Sequence, residues 1–211
     1  MRRARAAGGT TAFTRNASRL PAETGAIRWQ VANVLDAEDV ARSLEGLDVI
    51  VNAINCGTDM ADMIANAGVL PAAARTLLMA LAHQPATRLI VVGGGASLEV
   101  SPGRQALDVD GFADRLLSTL ELPAGYVNVL LAHREAMNIY RLSDRYWTYL
   151  SPSAGAIARG QRTGRFRIGG DQLLAGPDGG ISDMSAEDVA VAVIDEAELP
   201  RHVQRRFTVG Y

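Results

Sequence analysis

Short apolar runs alternate with longer amphipathic stretches along almost all of this 211-residue chain, and no other feature narrows the choice of fold as far. The runs 48–54, DVIVNAI, and 88–92, RLIVV, are of strand length and bounded by polar or Gly residues. They show no polar alternation, so they read as strands buried on both faces, the condition of parallel strands covered by crossover helices. Residues 62–83 between them carry apolar side chains at helical spacing and stop before Pro85. Together these make a strand–helix–strand unit, with 48–54 expected at the centre of its sheet.

The same pattern extends in both directions. Strands are expected at 10–14 and 27–32, then a short helix over 36–45 with Asp36 as N-cap and Glu38 and Asp39 in its first turn, where carboxylates suit the helix dipole. Past 88–92 comes Gly93-Gly94-Gly95. Residues 101–128 hold Pro102, Gly103, Gly111, Pro123 and Gly125 around one helical stretch, 112–120, and read as an excursion flanking a site. A helix over 132–142, a strand over 147–150 and a loop Ser151-Pro152-Ser153 follow, then a small hairpin of 165–168 and 172–174. The capping box Ser185-x-x-Asp188 opens a helix to about 196, and 206–209 is the last strand. This order is that of an α/β chain with an open, doubly wound, mostly parallel sheet.

Length and composition fit one domain, 1–211, with a sizeable core, since 48% of residues are hydrophobic. Cys56 is the only cysteine, which excludes an intrachain disulfide framework and makes the cytoplasm the expected location. Residues 1–5 are basic, but no apolar run of signal-peptide or membrane-spanning length follows, so no membrane association is expected. A net charge of −2 with scattered cations argues against a nucleic-acid surface. All 21 basic residues are Arg; without Lys there is no Schiff base, no P-loop Lys and no Tyr–Lys catalytic pair. His83, His133 and His202 lack metal-ligand spacing, so no metal site is expected. Glu187 and Asp188 read as a solvated face and cap.

The segments LDVIVNAI, RLIVVGGGASLEV, AHREAM, WTYLSPS, MSAEDVAVAVIDE and RRFTVGY, in this order, resemble the atypical short-chain dehydrogenase/reductases, in particular the NAD(P)H-binding proteins of NADH-flavin reductase-like or NmrA-like type. The resemblance runs from about residue 6 to 211 and implies a Rossmann-like domain holding NAD(P)(H). It fails at the front. Such proteins open with a strand, a G-x-x-G-x-x-G loop and a helix whose N-terminus holds the pyrophosphate. Here residues 2–7 match only the end of that helix, and Gly8-Gly9 reads as a helix-to-strand turn rather than a remnant phosphate loop. The family strand order 3-2-1-4-5-6 would then lack the strand between 10–14 and 48–54. The expectation is an N-terminally truncated Rossmann-like domain, with rearrangement or a partner strand as alternatives.

Site residues follow from the resemblance. Arg15, at the end of the second family strand, stands where relatives meet the 2′-phosphate, with Arg19 as helper, which favours NADP(H) over NAD(H). Asn33 and Val34 match the pair at the adenine edge, while Ala53, Ile54 and Asn55 permit close passage of the cofactor backbone. Gly93 and Gly94 lie at the crevice beyond a strand end, and Ser97 is a candidate hydroxyl for substrate or nicotinamide, its alternative being a turn Ser that satisfies its own backbone. His133 occupies the position of the Lys of Tyr-x-x-x-Lys, and Val129 that of the Tyr, so the catalytic pair is absent. His133 could bond the nicotinamide ribose and relay a proton, or be a helix His capped by neighbours. Tyr126 is a weaker proton-donor candidate, Ser151, Pro152 and Ser153 would bring backbone to the carboxamide, and Trp147 and Tyr149 read as core.

Two functions stand side by side: an NAD(P)H-dependent oxidoreductase passing hydride to a small flavin, quinone or carbonyl acceptor, or a non-catalytic dinucleotide-sensing or protein-binding module. Without the Tyr–Lys pair, flavin or quinone reduction is easier to support than carbonyl reduction, which needs a proton donor at the alkoxide. A homodimer is compatible with either.

Overall fold

The computed structural model describes residues 9–22, 25–177 and 179–211; the expected helix end at 2–7 and all but Gly9 of the following turn lie outside them. β1 (Thr10–Thr14) and β2 (Ile27–Val31) pair in parallel as a two-stranded sheet. α1 (Ala37–Leu44) follows, and its N-cap Asp36 accepts from the N–H groups of Glu38 and Asp39 as the sequence predicts. Next come β3 (Val49–Asn52), α2 (Met60–Ala65), α3 (Val69–Leu81) and β4 (Arg88–Val92). The excursion holds the hairpin β5 (Glu99–Ser101) and β6 (Arg104–Gln105) and then α4 (Phe112–Thr119). α5 (Val127–Arg141), β7 (Trp147–Pro152), β8 (Ile157–Ala158), β9 (Arg167–Gly169), β10 (Met184–Ser185), α6 (Ala186–Glu198) and β11 (Arg205–Gly210) complete the described chain.

The main sheet has the order β3-β4-β7-β11-β9, with the first four strands parallel and β9 antiparallel on β11. Successive side chains of β4 show why the apolar run must be buried on both faces. Leu89 and Val91 pack with α3 and α5, whereas Ile90 faces α6 with Leu150, Phe207 and Val209. Helices on both faces of a mostly parallel sheet make a Rossmann-like α/β architecture. No helix among the described residues is long and apolar enough to cross a membrane.

Several elements differ from the sequence reading. β3 is not central: among the described strands it is the edge of the main sheet, and its Val51 is 44% exposed. The helical stretch 62–83 is broken, because the Asn66 side chain folds back to bond the carbonyl and carboxylate of Asp62, ending α2 before α3 begins. Pro71 sits in the first turn of α3, where its missing N–H costs nothing. Ser151 and Pro152 belong to β7 rather than to a loop. The hairpin of 165–168 with 172–174 does not form; β9 turns to β11, and Gln172 bridges to Glu99.

Asp188 is the sharpest correction, since it is buried rather than solvated. Its carboxylate accepts from the Thr163 hydroxyl (2.5 Å), the N–H groups of Thr163 and Gly164 (2.9 and 2.8 Å) and the Tyr211 hydroxyl (2.8 Å), tying the 163–164 turn to α6. Burial alone would raise its pKa; these donors overcome it and hold the group at about 2, below the usual 3.8. The unfolded chain therefore takes up this proton first as pH falls. The stabilisation is complete above about pH 4 and is lost as pH drops through about 2. Asp188→Asn is expected to lower the melting temperature at pH 7, with the gap to wild type closing toward pH 2; an equal gap at both pH values would reject this role.

Candidate functional site

Because β3, β4, β7 and β11 run in one direction, their carboxyl ends share one side of the sheet, the side on which open α/β sheets place ligands. The β3 end carries Ala53 and Asn55, both exposed, with Ile54 half-buried; the β4 end carries the half-buried Gly93, Gly94 and Gly95. These glycines are required by what lies against them. A Cβ on Gly93 would coincide with the ring of Tyr149, and one on Gly94 would lie 3.0 Å from Cγ of His133. The run thus lets the β4 tip lie flat on an aromatic ring from β7 and an imidazole from α5.

Two titratable groups lie against this tip, the Tyr149 phenol and the His133 imidazole. Tyr149 Oη donates to the His133 main-chain carbonyl (3.2 Å), fixing the helix turn beneath the glycines, while neither ring nitrogen of His133 has a hydrogen-bond partner among the described residues. Burial pushes the imidazole down to about 4, so His133 is neutral at pH 7. It can offer one N–H and one lone pair, but not a positive charge. Tyr126 packs partly buried against the core and is pushed up by burial, away from easy proton release. The Cys56 thiol, buried and donating to the Met63 carbonyl (3.4 Å), is likewise raised by burial and is a packing group.

The other candidates fall in three places. Ser97 is buried: Arg206 Nη1 donates to its carbonyl (2.8 Å) and to its Oγ (3.1 Å). Ser151 and Ser153 are also buried. Ser153 Oγ donates to the Leu174 carbonyl (2.6 Å), whereas Ser151 Oγ has no partner and stands in register with Thr208, whose hydroxyl is also unpartnered. The Pro152 carbonyl lies directly under Gly95, so at 151–153 it is main chain that reaches the crevice rim. Arg15 and Asn33 sit exposed just past β1 and β2, on the smaller sheet. Arg15 has no partner among the described residues. Asn33 Oδ1 accepts from the Leu35 N–H (3.1 Å), and the Asn33 N–H donates to Asp39 (2.9 Å), which with Arg42 holds that carboxyl low; Val34 packs on the core.

The structure therefore gathers Ile54, Gly93, Gly94 and His133 at one tip, and leaves Arg15 and Asn33 on another sheet and Ser97 inside the fold. Two residues of consequence escaped the sequence. Tyr149, read as core, sits directly beneath the glycines. Arg206 is a fully buried cation, held by Asp171 through Nε (2.9 Å) and Nη2 (2.7 Å). Its signal was an Arg at an inward position of a strand otherwise alternating into the core. Among the described residues no group of three or more His, Cys, Asp or Glu is placed to hold a metal.

A family of NAD(P)H-binding proteins matches residues 1–200. The uncharacterised protein YwnB of Bacillus subtilis is 34% identical over 200 residues, covering 94% of this chain and 85% of YwnB. The crystal structure of a candidate exported protein from Burkholderia pseudomallei is 32% identical, with a TM-score of 0.76 over 97% of this chain and 88% of the other. A candidate NADH-flavin reductase from Streptococcus pneumoniae, 22% identical, also superposes with a TM-score of 0.76 over 96% and 87%, a likeness of fold.

Gly93→Ala is expected to lower stability by about 1–3 kcal/mol in a thermal or urea melt, because the added methyl must displace the Tyr149 ring. Gly68→Ala, where a Cβ meets open space, is the control; equal melts for the two variants would contradict the close approach.

Proposed function

The chain belongs to the NAD(P)H-binding family, and from that premise we propose that it is an NAD(P)H-dependent oxidoreductase passing hydride to a small planar acceptor, a flavin or a quinone. The observation that carries this reading is the flat glycine tip of β4 lying against a neutral His133. A bound nicotinamide dinucleotide supplies the hydride.

The residues present suit the two nucleoside ends of such a group. Ala53, Ile54, Asn55, Gly93 and Gly94 leave main chain within reach of a planar ring, and main chain at Ser151, Pro152 and Ser153 bonds the carboxamide. His133 hydrogen-bonds the adjacent ribose and steadies the acceptor. Arg15, exposed and without a partner among the described residues, takes the 2′-phosphate of NADP(H), with Asn33 and Val34 along the adenine. The described residues contribute no glycine-rich loop for the pyrophosphate. Ser97, held on Arg206, shapes the turn after the glycines rather than meeting the acceptor. Carbonyl reduction is disfavoured, because a neutral His133 and a raised Tyr126 leave no ready acid for the alkoxide.

The rival reading, a dinucleotide-sensing module without turnover, draws on the absent Tyr–Lys pair. Titration of NADPH and NADH by nicotinamide fluorescence, followed by oxidation assays with FMN and with p-benzoquinone, separates the two. Tighter binding of NADPH and turnover with at least one acceptor are expected. Arg15→Ala should weaken NADPH binding about tenfold and leave NADH unchanged, and His133→Ala should lower kcat about a hundredfold. Binding without oxidation would establish the sensing module; no binding of either nucleotide would remove the cofactor from the account.

A further inference from the structure

Below the β4 tip, between α5 and the sheet, lies a cavity of about 10 Å³ whose polar lining is Asn52, His133, Tyr140 and Tyr149. That volume is close to the least that admits one water, and a buried water needs two to four polar partners. The partners are there. Tyr140 is 1% exposed, yet among the described residues its hydroxyl has no hydrogen-bond partner, a costly omission for a buried polar group. The Asn52 side chain lies toward that hydroxyl without completing a hydrogen bond, and its Oδ1 accepts only a long bond (3.4 Å) from the Ile54 N–H. The His133 ring has no hydrogen-bond partner among the described residues. Tyr149 Oη spends its proton on the His133 carbonyl and one lone pair on the Gly94 N–H, which leaves its second lone pair as an acceptor.

We propose that one water in this cavity bridges Tyr140, Asn52 and the His133 ring, and that Tyr140 is thereby a positioning residue that fixes the tautomer of His133. The donor count closes. The Tyr140 hydroxyl and the Asn52 amide donate to the water, which donates one proton to the inner ring nitrogen of His133 and the other to Tyr149 Oη. The inner nitrogen is then the acceptor, so the outer one carries the N–H and presents it to the crevice. No other titratable group lines the cavity, and the charged neighbours of His133 on α5 are engaged elsewhere: Arg134 with Asp108 and Glu135 with Arg75.

The test is Tyr140→Phe, which keeps the ring packed between Trp147 and Tyr149. Nitrogen-15 NMR of the protein without added nucleotide reads the tautomer of His133, assigned through His133→Gln, with His83 and His202 as internal references. One tautomer is expected in the wild type, together with a nuclear Overhauser contact from water to the Tyr140 ring. In Tyr140→Phe that contact should vanish and the His133 tautomers should mix. An unchanged single tautomer, or no bound-water contact in the wild type, overturns the proposal; should Tyr140→Phe not fold, Asn52→Ala is read in the same way. The kinetic consequence rests on the reductase reading: kcat should fall roughly tenfold while the KM for NADPH holds. A shifted tautomer in a protein that never turns over would keep the water and reject the reductase.

Discussion

Everything at the site depends on β7 being paired on both sides. All six of its residues are buried, with β4 along one edge and β11 along the other. A buried strand keeps its amide groups at little cost only if both edges are satisfied, and parallel pairing also sets a common level for the neighbouring tips. From that register follow Tyr149 under Gly93, the Pro152 carbonyl under Gly95, and the bond from the Ser153 N–H to the Val209 carbonyl (2.8 Å). The crevice rim is thus mostly backbone, and backbone cannot be repositioned by changing a rotamer.

Buried charge supports this frame from both sides of the sheet. On the face of α5, Arg206 ties β11 to Ser97 and Asp171. On the face of α6, Glu196 accepts from Arg88 (3.2 Å), from the N–H groups of Arg201 and His202 (3.1 and 3.0 Å) and bonds His202 Nδ1 (2.8 Å), whose ring stacks on Phe207. Neither carboxylate is spare. Groups of this kind are tolerated away from water when their hydrogen-bonding capacity is largely met, and among the described residues the Arg88 Nε–H is the one proton of these two clusters' arginines left buried without a partner, so both clusters specify one arrangement of the loops they join.

Local chemistry was legible in the sequence; long-range pairing was less so. The strand 88–92, the Asp36 and Ser185 caps and the α5 and α6 helices follow from periodicity and capping, which depend on residues a few positions apart. The edge position of β3, the pairing of β9 with β11 and the burial of Asp188 depend on partners tens of residues away, and an apolar run does not say which neighbour it will find. The site divides along the same line. Glycines beyond a strand end and a histidine on α5 stand out by order and spacing, whereas Tyr149 reads as ordinary core and Tyr140 carries no sequence signal, because a phenol betrays its polar end only when its surroundings are known.

Among the described residues β3 is joined on one side only. A rim of that sort is a template: any extended chain of similar length can zip along it, and the outward-facing Val51 adds a greasy foothold. Hydrogen-bonding capacity along that rim is therefore left for a further extended segment to complete.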